Sequence, residues 1–261
     1  MGTTVVITGS TRGIGLGLAR CFLERGCNVV INGSSPESTR KAMEQLQGYP
    51  EHLAAVSADI SSRDDVARLY DEAVSRFGRV DIWINNAGIG HEMQSAWEVD
   101  YGELSRVLRV NIDGAVAGTI IAFQRMKEQG GGKIFNMEGL GSEGFMLDGM
   151  TIYGTTKCAV TYFTRSFAHE VRGTSVQVGV LSPGMVVTDM LLRTVSDGSA
   201  ESLKKKKFFN IMADEVETVA PFLTGKILAA TAQSPRIRWL SKPRMMRKIL
   251  VAPFRKRNLF L

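Results

Sequence analysis

The sequence predicts a single α/β domain in which a doubly wound parallel sheet is flanked by helices on both faces. Two observations support this prediction. Short β-rich runs alternate with helical stretches along most of the chain, and a glycine-rich turn at residues 9–15 follows the first run. Alternating strands and helices form βαβ units, whose strands are parallel. A length of 261 residues is compatible with one such domain.

The predicted strands are short and rich in Val, Ile and Leu: Thr3–Thr8, Asn28–Asn32, His52–Ser57, Val80–Asn85, Lys133–Met137 and Val176–Leu181. The predicted helices have apolar residues at helical spacing: Ile14–Arg25, Glu37–Gln47, Ser62–Phe77, Tyr101–Lys127, Ile152–Arg172 and Glu215–Thr231. Gly26 and Gly78 provide stop signals. We expect a dinucleotide-binding and catalytic domain at residues 1–235 and a basic, apolar C-terminal tail at residues 236–261.

Positive charge is concentrated near the C-terminus. The formal net charge is +6, and the ten residues Lys226, Arg236, Arg238, Lys242, Arg244, Arg247, Lys248, Arg255, Lys256 and Arg257 follow Glu217 with no acidic residue among them. Such asymmetry predicts contact with an anionic membrane surface or packing against a partner subunit. No nucleic-acid recognition module is recognisable, so we expect no nucleic-acid partner.

Cysteine and histidine usage argues against a disulfide framework and against a metal site. The three cysteines are irregularly spaced, and the three histidines lie far apart in the sequence. Met1 leads directly into an apolar run with no basic region before it, so we expect no secretory signal. We expect a cytoplasmic protein if the source is bacterial, and a chloroplast protein with its transit peptide removed if it is a plant or alga.

The glycine-rich turn predicts a phosphate-binding loop. Glycines allow a tight turn and a close approach to a pyrophosphate, and the following helix offers its N-terminal amides and positive dipole. The spacing is not G-x-G-x-x-G, but the physical logic is the same. The residues predicted to contact the cofactor here are Gly9, Thr11, Arg12, Gly13, Ile14 and Gly15.

The end of the second strand predicts a preference for NADPH. An acidic residue there would bind the ribose 2′-hydroxyl of NADH, but residues 32–35 contain none. Arg12 can grip a 2′-phosphate, with Ser34 beside it; the alternative is a solvated Arg12. Further cofactor contacts are predicted after the third and fourth strands, at Asp59, Ile60, Asn86, Ala87 and Gly88.

Tyr153 and Lys157 are the predicted catalytic pair. At positions i and i+4 of a helix, both side chains point the same way. A nearby ammonium favours the phenolate, so we expect Lys157 to lower the pKa of Tyr153 and make it a useful acid or base.

These motifs together resemble the short-chain dehydrogenase/reductase superfamily, which implies a single-domain Rossmann fold and assembly as a homodimer or homotetramer. The resemblance rests on the glycine loop, Asn85–Gly88, Asn111, Tyr153–Lys157 and Ser182–Gly184. It implies that Tyr153 donates the proton, that Lys157 assists it, and that Asn111 organises a water relay. It also implies a loop beside the nicotinamide formed by Pro183, Gly184, Val186 and Thr188.

One departure concerns the serine that polarises the substrate carbonyl in this family. Glu138 and Gly139 occupy the slots of the usual Ser-Ser pair, and Ser142 is the nearest hydroxyl and a weak candidate to replace it. The stretch Ile134–Gly144, together with Asp81–Gly88 and Leu181–Val186, resembles chlorophyll b reductases. That resemblance implies reduction of a 7-formyl group to hydroxymethyl.

A wide apolar mouth is expected for a flat tetrapyrrole substrate. The predicted walls are formed by two groups of residues: Phe145, Met146, Leu147 and Met150 on one side, and Met190, Leu191, Leu192, Phe208 and Phe209 on the other. Two alternatives remain open, namely reduction of another bulky apolar aldehyde or ketone, and NADP(H) binding without turnover.

Overall fold

A computed structural model describes residues 2–195, 200–254 and 257–259 of the chain, and the backbone alone at residues 200 and 201. Arg255 and Lys256, which were counted with the basic residues of the tail, lie outside the described residues. Seven parallel strands form one sheet in the order β3-β2-β1-β4-β5-β6-β7. The strands are β1 Thr4–Ile7, β2 Asn28–Gly33, β3 Leu53–Ser57, β4 Ile82–Asn85, β5 Gly132–Met137, β6 Val176–Ser182 and β7 Arg236–Arg238.

Helices cover both faces of the sheet. They are α1 Gly13–Leu23, α2 Pro36–Gln45, α3 Arg63–Phe77, α4 Tyr101–Leu108, α5 Gly114–Glu128, α6 Thr151–Glu170, α7 Asp189–Arg193, α8 Ala200–Met212, α9 Val216–Leu228 and α10 Lys242–Val251. The predicted doubly wound α/β fold is confirmed. Each of the six predicted strands and six predicted helices is present, with end shifts of a few residues.

Two apolar cores lie on opposite faces because side chains alternate along each strand. Val5 and Ile7 of β1 face a core that contains Phe22 of α1 and Leu223 of α9. Val6, between them, faces a second core together with Trp83 and residues of α3, α5 and α6. Strands with both faces buried read as continuous apolar runs, which explains the strand signal in the sequence.

The predicted helix Tyr101–Lys127 is interrupted by a π turn. Residues Arg109–Asp113 form this wider turn between α4 and α5, and Asn111 is its buried member. The whole helical stretch Tyr101–Glu128 is also long and apolar enough to span a membrane. However, α5 packs against α3, β4 and β5, so it is a core helix on the second face of the sheet.

The segment beyond residue 235 begins with a strand of the sheet. Backbone pairing of β7 with β6 runs from Val180 and Arg236 to Ser182 and Arg238. The sheet therefore extends three residues into the segment expected to be a tail. Farther on, α10 packs against α8.

Candidate active site

A cleft of about 2380 Å³ opens at the carboxyl edge of the sheet. This edge is where open α/β sheets bind ligands, beside the point at which strand order reverses between β1 and β4. Except for Asn111, the predicted site residues line it: Gly9, Thr11, Arg12, Gly13, Ile14, Gly15, Ser34, Asp59, Ile60, Asn86, Ala87, Gly88, Ser142, Tyr153, Lys157, Pro183, Gly184, Val186 and Thr188.

The glycine loop is held against the end of β4 without room for side chains. Gly9 has a positive φ of 60°, and a Cβ there would lie 2.7 Å from Cα of Ala87. A Cβ at Gly15 would lie 2.5 Å from Nδ2 of Asn86. Asn86 Nδ2 donates to the carbonyls of Thr8 and Gly9 at 2.9 and 3.0 Å. The loop is therefore fixed before any ligand arrives.

Two residues that were not among the predicted site residues, Thr8 and Asn32, complete this scaffold. Thr8 Oγ1 accepts hydrogen bonds from the backbone amides of Asn86 and Ala87, both at 3.1 Å. The Asn32 side chain accepts from the Gly9 amide and donates to the carbonyls of Val56 and Ala58. Their position at the ends of β1 and β2 was the available signal, since polar residues that end buried strands face the sheet's ligand edge.

Arg12 and the serines after β2 face the same cleft. Arg12 is exposed at the N-cap position of α1, where its side chain makes no capping hydrogen bond. Ser34, Ser35 and Ser38 line the cleft wall with it. No carboxylate stands at residues 32–35, so this end of the cleft offers hydroxyls and one guanidinium to a ligand.

Tyr153 and Lys157 are buried on α6, with 8% and 5% of their surfaces exposed. Lys157 Nζ lies 5.7 Å from the centroid of the Tyr153 ring and donates to the Met137 carbonyl at 3.3 Å. Burial raises the pKa of Tyr153 to about 12 and lowers the pKa of Lys157 to about 8. The expectation of a lowered Tyr153 pKa therefore differs from the structure, because removal from water dominates for both groups.

Asn111 lies behind the cleft wall rather than on it. Its Nδ2 donates to the Ile89 carbonyl at 2.9 Å and to Thr156 Oγ1 at 3.0 Å, while its Oδ1 accepts from the Ile89 amide at 2.8 Å. Thr156 Oγ1 in turn donates to the Tyr153 carbonyl. Asn111 thus ties the loop after β4 to α6. It lies in a π turn, and π turns are frequent at functional sites.

Gly139 leaves no room for the serine that the family usually carries. A Cβ at residue 139 would lie 2.7 Å from the Tyr153 hydroxyl oxygen and 3.1 Å from Cγ of Lys157. A carbon atom at that distance forces a shift of the tyrosine or of the loop. Because residue 139 is a glycine, the loop can follow its observed path without displacing the Tyr153 hydroxyl.

Ser142 is buried and both roles of its hydroxyl are occupied. Its Oγ accepts from the Gly139 amide at 3.0 Å and donates to the Lys157 carbonyl at 3.2 Å. A hydroxyl has one hydrogen to donate. Ser142 would have to break its bond to α6 before it could polarise a substrate carbonyl, so the geometry assigns it to holding the loop.

Glu138, in the other serine slot, is a buried carboxylate at the end of β5. Ser182 Oγ donates to its Oε2. Among the described residues its Oε1 has no hydrogen-bond partner, although the guanidinium groups of Arg165 and Arg236 both lie 3.9 Å away. Glu143, at the other end of the same loop, pairs with Arg236 and Arg238 of β7. These contacts anchor the loop to β6 and β7.

Apolar side chains, many of them methionines, line part of the cleft, together with charged residues such as Lys204 and Lys205. Phe145, Leu147, Met150, Met190, Leu191, Phe208 and Phe209 line it, as expected. Two predicted wall residues lie elsewhere, because Met146 is 90% exposed and neither Met146 nor Leu192 borders the cleft. Further methionines that the sequence did not indicate complete the lining: Met93, Met137, Met185, Met212 and Met245.

Comparison with known proteins decides the family. The family model described as short chain dehydrogenase matches residues 3–198.

The chain belongs to the short-chain dehydrogenase family.

Members of this family are NAD(P)H-dependent oxidoreductases that act on C=O and CH–OH groups. A relative from Oryza sativa subsp. japonica, named probable chlorophyll(ide) b reductase NYC1, chloroplastic, is 34% identical over 98% of this chain. Chlorophyll(ide) b reductase NOL, chloroplastic, from Arabidopsis thaliana is 37% identical over 87% of it. The chain spans only 53% of the first relative and 66% of the second.

Solved structures share the fold of this short-chain dehydrogenase. A 3-ketoacyl-(acyl-carrier-protein) reductase from Brucella melitensis, complexed with NADH, is 26% identical, with a TM-score of 0.80 over 94% of this chain and 98% of its own. L-Sorbose reductase from Gluconobacter frateurii, complexed with NADPH and L-sorbose, is 22% identical with a TM-score of 0.79 over 91% and 95%. The second likeness is evidence for the fold alone.

Proposed function

We propose that this short-chain dehydrogenase is an NADPH-dependent carbonyl reductase whose substrate is the 7-formyl group of chlorophyll b or of a related formyl tetrapyrrole. The observation that carries the proposal is the cleft, in which the dinucleotide loops, the Tyr153–Lys157 pair and a broad apolar mouth share one cavity of about 2380 Å³. Typical small-ligand pockets measure about 300–1,000 Å³. The excess leaves room for a bulky substrate beside the cofactor.

The residues fit a dinucleotide phosphate cofactor. The loop from Gly9 to Gly15 is closed to side chains and leads into the N-terminus of α1, which favours a pyrophosphate. Arg12 and Ser34 would hold a 2′-phosphate, and the lack of an acid after β2 removes the group that would select NADH. When bound, NADPH supplies a hydride to the carbonyl carbon.

Tyr153 supplies the proton for the carbonyl oxygen. Its raised pKa keeps the phenol protonated at neutral pH, which is the form that donates. The phenolate left behind is stabilised by the Lys157 ammonium, which is close enough to compensate the new charge in a site with little water. Hydride and proton together convert the formyl group into hydroxymethyl, and Tyr153 recovers its proton from solvent.

The mouth favours a large, flat, apolar substrate. Methionine side chains adapt to irregular apolar surfaces, and phenylalanine rings can pack against a macrocycle. The plant relatives named chlorophyll(ide) b reductase support a tetrapyrrole, and they are named chloroplastic, which supports a plastid as the site of action. Their greater length leaves the activity of this chain to be tested directly.

A second substrate class has support of its own. A relative from Eggerthella lenta named 3beta-hydroxysteroid dehydrogenase 2 is 33% identical over 72% of this chain and 73% of its own length. A steroid is also bulky and apolar, so another large aldehyde or ketone would suit the same mouth. The absence of the usual Ser-Ser pair at residues 138 and 139 favours the further alternative of NADP(H) binding without turnover.

The test is incubation of the purified chain with NADPH and detergent-dispersed chlorophyll b, followed by absorption spectra. We expect the formyl chromophore to disappear as NADPH is oxidised in equal amount. Tyr153→Phe keeps the ring and removes the acid, so turnover should fall by about two or more orders of magnitude while NADPH still binds. NADPH binding with no turnover of any carbonyl would instead support the non-catalytic alternative.

A further inference from the structure

Helix α10 turns two of its charged side chains, Arg244 and Lys248, toward the protein and exposes a run of apolar side chains on another side. Lys248 Nζ donates to Asp214 Oδ1 at 2.6 Å and to the Ala213 carbonyl at 3.2 Å. The Arg244 guanidinium stacks 3.6 Å from the Trp239 ring centroid and donates to the Trp239 carbonyl. Asp214 is itself buried and also accepts from Trp239 Nε1 and from Arg257. These contacts fix the rotation of the helix about its axis.

The opposite side of α10 is an exposed apolar stripe. Met246, Ile249 and Leu250 are 60%, 56% and 68% exposed, and Phe254, just past the helix, is 90% exposed. We call these four residues the α10 face. Met246, Ile249 and Leu250, at positions i, i+3 and i+4, lie along one side of α10, and Phe254 follows the end of the helix. Contiguous exposed apolar residues mark a contact surface more often than an ordinary solvated one.

Charge selects the occupant of this face. Lys242 and Arg247 are exposed on α10 beside it, and no acidic residue follows Glu217 in the chain. Symmetric pairing of two copies through the same face would bring their basic residues together, which is unfavourable. An anionic lipid surface accepts both features, because apolar side chains enter the acyl boundary while Lys and Arg meet the head groups.

We propose that the α10 face docks the protein on an anionic lipid bilayer. The face adjoins the mouth of the cleft, since Met245 of the same helix lines the cleft and α10 packs on α8, whose Phe208 and Phe209 also line it. Docking would bring the mouth close to the bilayer, from which an amphiphilic substrate can enter. This last point rests on the proposed function, whereas the docking itself does not.

The experiment measures co-sedimentation of the full-length chain with vesicles. One vesicle preparation contains equal parts of phosphatidylglycerol and phosphatidylcholine, and the other contains phosphatidylcholine alone. We expect binding to the anionic vesicles that weakens as salt rises. Ile249→Glu with Leu250→Glu should reduce it roughly tenfold or more by placing charge in the acyl boundary. Lys242→Gln and Arg247→Gln should each reduce it about fivefold.

Tyr162→Glu is the matched control, because Tyr162 is an equally exposed apolar residue on α6, far along the chain from α10. It should bind vesicles as the unchanged protein does. Thermal unfolding and NADPH binding report whether each variant is folded. Equal binding of the Ile249/Leu250 variant and the control would overturn the proposal, as would absence of binding to anionic vesicles at low salt. A dimer dispersed only by the Ile249/Leu250 variant would instead make a second copy the occupant. Vesicle binding by a protein without reductase activity would leave docking standing and remove the proposed function.

Discussion

At Tyr153 and Lys157, burial acts on two groups whose charged forms carry opposite signs. Loss of water disfavours the phenolate and the ammonium alike, so the pKa of the tyrosine rises while that of the lysine falls. The outcome is a neutral phenol, ready to donate, beside a lysine whose charge is lost at mildly alkaline pH. This arrangement suits the proposed proton donation at neutral pH.

The lysine sets an alkaline limit on turnover. Since the pKa of Lys157 is lowered to about 8, the ammonium is present below that pH and is lost as pH rises through it. The phenolate formed by proton donation then has no nearby positive charge. We expect kcat/KM for carbonyl reduction to fall above about pH 8, measured as NADPH oxidation with deuterated NADPH used to verify that hydride transfer limits the rate. A flat profile up to the ordinary lysine range would contradict this role.

Arg12 tests the choice between the two nicotinamide cofactors. Arg12→Ala removes the single guanidinium expected at the 2′-phosphate, so the NADPH dissociation constant should rise about tenfold or more. NADH binding should change little. Fluorescence titration with both cofactors measures this, and Arg20→Ala, an exposed arginine on α1 that does not line the cleft, is the control. Equal weakening of both cofactors would refute the assignment.

Among the elements, the loop from Glu138 to Gly144 is the one in which Glu138 and Gly139 replace the expected Ser-Ser pair. Its first residue is tied to Ser182, and its outer Glu143 is tied to Arg236 and Arg238. Ser142 fastens its middle to the catalytic helix. These contacts hold Gly139 beside the Tyr153 hydroxyl. We propose that a backbone amide or a water molecule, rather than Ser142, polarises the substrate carbonyl.

Ser142→Ala separates a bracing role from a catalytic one. The substitution leaves the part-buried Gly139 amide without its acceptor, so the free energy of unfolding should fall by about 0.5–1.5 kcal/mol. Turnover by the folded variant should fall far less than in Tyr153→Phe. Denaturant unfolding and steady-state kinetics, with Thr155→Ala on the exposed side of the same helix as the control, check both values. A hundredfold loss of kcat at unchanged stability would return Ser142 to the catalytic role.

Sequence reasoning recovered the elements that repeat a strong local pattern. The strands of the two cores are apolar along their whole length, and the helices between them carry one apolar side, so each could be placed from its own residues. Helices α7, α8 and α10 and strand β7 were not predicted. These elements depend on long-range partners such as Asp214, which meets Trp239, Lys248 and Arg257.

Part of the site was predictable because some of its residues form local patterns in the sequence. Its glycines, Tyr153 and Lys157 stand at spacings that can be read along the chain. The commitment of Ser142 to the Lys157 carbonyl, the position of Asn111 behind the wall and the dominance of burial over charge attraction at Tyr153 arise from packing. None of these leaves a signal in a single sequence.

At the scale of the whole molecule, the glycine loop, α6, α7 and α8 all contribute residues to one cleft at the carboxyl edge of the parallel sheet. In the half of the cleft near β1 to β4, the side chains of Asn86 and Asn32 hold the loops in place by hydrogen bonds to backbone carbonyls. The other half is built from methionine, phenylalanine and the helices after β6. We infer that the first half holds a constant cofactor and that the second half sets which carbonyl compound is reduced.

The proposal that the cleft takes a formyl tetrapyrrole is tested most directly by comparing two values of kcat/KM. One is measured for chlorophyll b and the other for a small aldehyde such as benzaldehyde, both with NADPH under one detergent condition. Contacts between the macrocycle and the apolar mouth that are realised in the transition state raise kcat/KM for the large substrate. We predict an efficiency for chlorophyll b that exceeds that for benzaldehyde by about two orders of magnitude or more. A higher efficiency for the small aldehyde would contradict the assignment of the mouth to a formyl tetrapyrrole.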